Sequence, residues 1–186
     1  MPVKVQAHLH FGKWHDIEVE DDVTAYLEYP NGATGVFVTS TGDLPGTNRF
    51  EITMDKAKIV CDKESLSVYE LNISEREFCY STTEGFPRAE GKFLDIETDG
   101  LNLQHSGVLN AFASRILRGT PLVAEGIEGI NGLTLSNAMH LSSWLQKPIT
   151  LPLDEDLFLS ELNKLRQISK AKKDVQEVSF STEGTY

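Results

Sequence analysis

Cysteine is scarce here, with only Cys61 and Cys79 among 186 residues. The two lie far apart, on segments that both read as strands, without CxxC spacing or histidine neighbours. That excludes a disulfide framework and a zinc finger, and it reads as free, buried thiols in a reducing compartment. Long apolar runs are also missing. No stretch approaches the roughly 20 residues that cross a bilayer, and the opening MPVKVQAHLHF alternates where a secretory leader would be continuously apolar. Positive charge is in deficit, with 17 Lys and Arg against 28 Asp and Glu for a formal net charge of -11. Such a surface repels phosphate backbones and anionic membranes, so neither nucleic acid nor a membrane is an expected partner. The basic cluster Lys170, Lys172 and Lys173 follows a predicted helix, where cations offset the last carbonyls. These absences describe a soluble, cytoplasmic protein.

The usual signatures of a self-sufficient enzyme are missing as well. Gly126, Gly129 and Gly132 are spaced three apart, which is not G-x-G-x-x-G, and Glu125 and Glu128 beside them would repel a diphosphate. Close helix packing explains those glycines better. No Ser or Cys sits in a G-x-S-x-G elbow. His8 and His10 share one face of a strand but have no third partner, so they read as solvated or interface residues and no metal site is expected.

What is present is alternation. In the first segment Val3, Val5, Ala7, Leu9 and Phe11 are apolar and the even positions polar, which is a strand with one buried face. Val23, Ala25, Leu27 and Tyr29 repeat the pattern, and Pro30-Asn31-Gly32 then supplies a hairpin turn into residues 33–40. Further runs at 48–54, 57–61, 66–71, 75–82 and 92–98 continue a meander whose short connections require antiparallel pairing. After Asp99-Gly100 the period becomes helical. Val108, Leu109, Phe112 and Ile116 form one stripe that Gly119 ends, and residues 125–145 form a second helix stopped by Lys147-Pro148. A short strand at 149–151 precedes a third helix capped by Asp154, with Leu157, Phe158, Leu162, Leu165 and Ile168 on one face.

Strands followed by helices predict an α+β domain: an open, mainly antiparallel sheet of about eight strands with helices packed on one face. It should span residues 1–168 as a single domain, with 169–186 a polar tail or edge strand. Tyr26, Tyr69, Phe78 and Tyr80, placed on strands, suggest that the second face is partly apolar and self-associates.

Few residues could carry ligand chemistry. Gln104-His105-Ser106-Gly107 opens the first predicted helix after a loop, where His105 either faces a ligand or caps the helix. Trp14 and His15 form an aromatic and imidazole pair in the loop after the first strand. His140, among apolar neighbours, reads as a hydrogen-bonded packing residue.

Two stretches carry a resemblance. They are Val19-Glu20-Asp21-Asp22-Val23-Thr24-Ala25 leading to Tyr29-Pro30-Asn31-Gly32-Ala33, and Glu125-Gly126-Ile127-Glu128-Gly129-Ile130-Asn131-Gly132 leading to Ser136-Asn137-Ala138-Met139-His140-Leu141-Ser142. Together with Leu151-Pro152-Leu153-Asp154, the chain from Val3 to about Leu165 resembles the C-terminal domain of the Gfo/Idh/MocA oxidoreductases, the glucose-fructose oxidoreductase and inositol dehydrogenase superfamily. The resemblance implies a preceding Rossmann domain that binds NAD or NADP and supplies a catalytic Lys in a Glu-Lys-Pro motif, with an Asp and a His on a helix just before the first strand. None of these has a counterpart here, and Lys147-Pro148, following Gln146, ends a helix. The implied role is therefore substrate binding and assembly as a homodimer or tetramer, for an enzyme acting on a sugar, cyclitol or related polyol. His105, His15 and Trp14 would be substrate contacts. No catalytic residue and no bound cofactor are expected in these residues alone. A different class of reading is a stand-alone dimeric polyol-binding or scaffold module without enzymatic activity.

Overall fold

The computed structural model describes residues 1–63, 65–101 and 103–170. In chain order the strands are β1 (Lys4–Phe11), β2 (Glu20–Glu28), β3 (Thr34–Ser40), β4 (Arg49–Thr53), β5 (Ala57–Asp62), β6 (Ser65–Leu71), β7 (Gly91–Leu94) and β8 (Ile149–Thr150). The helices are α1 (Glu75–Ser81), α2 (Gln104–Arg118), α3 (Gly129–Leu145), which follows a 3-10 turn at Gly126–Glu128, and α4 (Glu155–Ile168). The α+β class and the antiparallel pairing expected from the sequence hold for every ladder. The strands, however, form two four-stranded sheets, β3-β2-β1-β8 and β4-β5-β6-β7. Between β3 and β4, Pro45 lacks an N–H and Gly46 sits at φ 84°, so the ladder does not carry on through that segment.

The described residues fall into two compact units, one formed by residues 1–42 and 103–170, the other by residues 43–63 and 65–101. In the first, the odd positions of β1 and β2 turn inward as the alternation predicts. Val5, Ala7, Leu9, Val23, Ala25 and Leu27 are buried, and α3 lays Ala138 and Leu141 over them. The hairpin closes at Gly32, φ 84°, with the Gly32 N–H donating to the Tyr29 carbonyl at 3.0 Å. Asp154 caps α4 as expected, its Oδ1 accepting the Leu157 N–H at 2.9 Å. Leu157 and Phe158 then pack on the Val5–Leu141 cluster.

Strand β8 pairs only with Lys4 and Val5, so the next inward-register N–H groups of β1 lack a strand partner. Two helix serines take its place. Ser142 Oγ accepts from the Ala7 N–H at 3.0 Å and donates to the Lys147 carbonyl at 2.8 Å, and Ser143 Oγ accepts from the Leu9 N–H at 3.1 Å. Both serines are buried, which is tolerated because their polar atoms are paired.

In the second unit the register places Phe50, Ile52, Ile59, Cys61, Leu66 and Val68 on one sheet face. The opposite face carries ion pairs from Arg49 to Glu51 (2.7 Å) and Asp62 (3.0 Å), and from Lys58 to Glu51 (2.5 Å). Tyr69 and Phe93 meet edge to face at 4.9 Å on that side.

Several expectations are corrected. Residues 75–82 are not a strand: Ser74 Oγ accepts the Glu77 N–H, and Glu75 and Glu77 occupy the first turn of α1, so capping outweighs a short alternation. Phe78, Cys79 and Tyr80 are therefore on a helix, and Cys79 is exposed, not buried; Cys61 is only partly buried, and both thiols are free. A Cβ on Gly126, Gly129 or Gly132 would meet no atom within 4 Å, so close packing does not explain those glycines. The amino-terminal half of the predicted 125–145 stripe is exposed at Ile127 and Ile130, and α2, though amphipathic as predicted, buries none of its residues. The expected tail or edge strand, with Lys172 and Lys173, lies outside the described residues from 171 onward. Among the described residues no helix is long and apolar enough to cross a membrane.

Candidate functional site

Asp21 organises the loop that joins β1 to β2. It occupies the inward register of β2, one step before Val23, and its carboxylate is fully buried. Oδ1 accepts the Lys13 N–H at 3.1 Å, and Oδ2 accepts the N–H groups of Trp14 (2.7 Å) and His15 (3.0 Å). Burial alone would raise its pKa. The backbone hydrogen bonds from Trp14, Lys13 and His15, with the His15 side chain, outweigh that and hold it below the ordinary 3.8. Asp21 thus remains ionised and pins three consecutive loop residues.

The pinned loop carries Trp14 and His15 as consecutive residues, each about half exposed. Trp14 is half exposed, and a Cβ on Gly42 would lie 2.5 Å from the indole Cδ2, so only glycine admits the ring at this approach. The Lys13 ammonium stands 4.7 Å from the indole centroid and 2.6 Å from Asp22 Oδ2. Asp22 is also held below 3.8, mainly by Lys13, against burial, and further by His10. His15 Nδ1 lies 3.1 Å from Thr41 Oγ1 and 3.6 Å from Asp21 Oδ2. Asp21, Ser40 and Thr41 also belong to the wall of a cavity of about 470 Å³ that reaches Leu135 and Met139 of α3.

A larger cavity, about 750 Å³, lies among Phe11, Ile17, Trp144, Phe158 and Leu165. His140 and Glu20 line both cavities. His140 bridges the Ser136 carbonyl (Nδ1, 2.8 Å) and Glu20 Oε2 (Nε2, 2.9 Å), and its ring is 5.5 Å from that of Trp144. The expected packing role of His140 is what the structure displays. Burial pushes the Glu20 carboxyl up, but the hydrogen bond and charge of His140 leave it below its usual 4.5.

Of the three residues singled out from the sequence, Trp14 and His15 are brought together on one loop. His105 is exposed at the second position of α2 and lines neither cavity. It does not cap that helix: the cap position is Leu103, without a side-chain cap bond. Asp21 and Thr41 escaped sequence reading. The signal for Asp21 was present, because extending the Val23-Ala25-Leu27 alternation back one step turns it inward. Thr41 left none, since only the return of β3 alongside β2 brings it to the Asp21 carbonyl.

Both sheets are antiparallel, and no strand leads into the Gly126–Gly132 segment. No group of three metal-ligating side chains is gathered among the described residues.

Residues 1–60 match the family model described as the GFO/IDH/MocA C-terminal domain, in agreement with the resemblance read from the sequence. No curated protein matches. Among solved structures, levoglucosan dehydrogenase in complex with NADH and levoglucosan superposes with a TM-score of 0.60 at 17% identity, over 82% of this chain and 45% of that one. The aldose-aldose oxidoreductase of Caulobacter crescentus gives 0.59 at 19%, over 81% and 41%. The WlbA dehydrogenase of Bordetella pertussis, with NADH and UDP-GlcNAcA, gives 0.57 at 19%, over 82% and 40%. The chain shares the fold of these proteins and spans less than half of the length of each.

Proposed function

We propose that the chain is the C-terminal, substrate-side domain of a GFO/IDH/MocA oxidoreductase that uses NAD or NADP on a sugar, cyclitol or related polyol. Trp14 and His15 contact the substrate, with His105 as a further contact, and these 186 residues do not turn it over alone. The observation that carries this reading is the Asp21-anchored loop, which fixes the backbone of an aromatic residue and the histidine after it, both half exposed. Polyols are bound in that way, with C–H faces on an aromatic ring and hydroxyls on polar side chains. The matched residues 1–60 include this whole loop, and the proteins of like fold include two solved with NADH and a sugar-type molecule. Hydride transfer needs a nicotinamide placed against the substrate, and residues outside this chain would hold it.

Calorimetry tests both halves of the proposal. Titrated into the chain, NADH is expected to give no binding heat. myo-Inositol is expected to bind weakly, and Trp14→Ala or His15→Ala should weaken it about fivefold or more, the loss of one good contact. Inositol binding unchanged in both variants would remove the substrate assignment, and oxidation of inositol by the chain with added NAD would remove the division of labour.

Assembly through the open face of the first sheet belongs to the same proposal. The even positions of β1 and β2 and their β3 partners place Tyr26 beside Val36, and Val36 and Val38 are 70% and 65% exposed. A homodimer or tetramer would cover them. Sedimentation at micromolar concentration should show the oligomer, and Val36→Glu with Val38→Glu should yield monomer; a monomeric parent chain would refute this face as an interface.

A further inference from the structure

Which nitrogen of His15 carries the proton is decided by what surrounds Nδ1. Thr41 Oγ1 has one proton, and the Asp21 carbonyl, which also accepts the Thr41 N–H at 3.0 Å and lies 3.4 Å from Ser40 Oγ, is 3.3 Å from it as an acceptor. The same hydroxyl is 3.1 Å from His15 Nδ1. If the hydroxyl donates to the carbonyl, its lone pairs face Nδ1, which must then be N–H. The alternative has the hydroxyl donating to a bare Nδ1. That would leave an unprotonated Nδ1 3.6 Å from Asp21 Oδ2, on a buried carboxylate that three backbone N–H groups keep ionised. Two electron-rich atoms at that separation repel, whereas Nδ1–H is attracted by both oxygens. The imidazole is half exposed, and Nε2 takes no hydrogen bond from the described residues.

We infer that Thr41 and the buried Asp21 carboxylate hold His15 as its Nδ1–H tautomer, so that Nε2 stands outward as a hydrogen-bond acceptor for a ligand hydroxyl. The ligand half of this rests on the polyol reading above. Asp21 and Thr41 are positioning residues: they touch His15 and not the ligand. Their effect is directional. An outward acceptor selects groups that donate, such as the hydroxyls of a polyol, over carbonyl and carboxylate oxygens, which only accept. It also gives a buried aspartate a role beyond closing the loop, since the carboxylate that pins the backbone also sets the imidazole.

Long-range ¹H–¹⁵N correlation spectra of the labelled 186-residue chain, above the pH at which its imidazoles are charged, report the tautomer directly. His15 is expected to show an amine-type Nδ1 and an imine-type Nε2, the tautomer that a free histidine side chain disfavours. Thr41→Val should shift His15 toward a mixture and weaken myo-inositol about fivefold, while Thr41→Ser, which restores the oxygen, should return both. A merely structural threonine would not separate valine from serine in this spectrum. Nε2–H in the parent chain overturns the inference even if inositol still moves the Trp14 and His15 signals, an outcome that leaves the polyol reading standing. The expected tautomer with no response of either signal to inositol overturns the assignment of a polyol hydroxyl, and with it that reading.

Discussion

Leu141→Ala is expected to lower the stability of the first unit by about 3 kcal/mol, the middle of the usual range for a fully buried leucine. Leu141 is 1% exposed and belongs to the cluster of Val5, Leu27, Ala138 and Ile149, where β1, β2, β8 and α3 meet. Four isobutyl carbons shrink to a methyl, and the neighbours cannot close the gap, because three of them belong to strands held in register. Against a typical total of 5–15 kcal/mol, such a loss is a large share. Urea unfolding should show a lowered midpoint at unchanged slope. Ile130→Ala on the same helix, 58% exposed, provides the contrast and should cost below about 0.5 kcal/mol. Equal effects at the two positions would mean that α3 does not lie on the sheet by the face seen here.

Ser142→Ala should cost about 2 kcal/mol although it removes a single oxygen. That oxygen serves a buried backbone group, the Ala7 N–H, and the part-buried Lys147 carbonyl. Without it the Ala7 N–H is left unpaired away from water, and an orphaned buried group costs about 1–3 kcal/mol. Amide hydrogen exchange gives the specific test: the Ala7 N–H should lose protection while the Val23–Leu27 amides keep theirs relative to the global change. Val in place of Ser142 removes the same oxygen and adds a methyl group to a fully buried site, so it should be no better than Ala. If Ala and Val variants are as stable as the parent, the serine is a spacer and the edge of β1 is satisfied in another way.

The serines also mark where sequence reading stops. Small residues at 136 and 142 suggest close helix packing, and a helix pattern offers nothing more specific. That Ser142 and Ser143 stand where a strand partner is missing depends on β8 being two residues long and on α3 arriving beside it. The run at 75–82 failed for a related reason. Eight residues accommodate either period, and the choice fell to Ser74, whose hydroxyl both caps α1 and donates to Asp55 Oδ1 at 2.7 Å, 19 positions away. By contrast the hairpin at Gly32, the end of α2 at Gly119, the start of α4 at Asp154 and the inward face of β1 were legible, because each rests on alternation, capping or turn chemistry that acts within a few residues.

The candidate site divides along the same line. Trp14 and His15 could be picked out as an adjacent aromatic and imidazole, and adjacency needs no fold. By itself the sequence determined the α+β class, the antiparallel ladders, the inward residues of β1 and β2 and the acidic surface, since these follow from local periodicity and composition. Only the tertiary structure decided the separation into two sheets, the inward carboxylate that gathers three loop N–H groups, the Thr41 hydroxyl beside His15 and the serines that finish an unfinished sheet edge. The physical reason is distance along the chain. Ser142 is 135 positions from Ala7 and Thr41 is 26 from His15, and hydrogen bonds of that span exist only after the packing that brings their partners together.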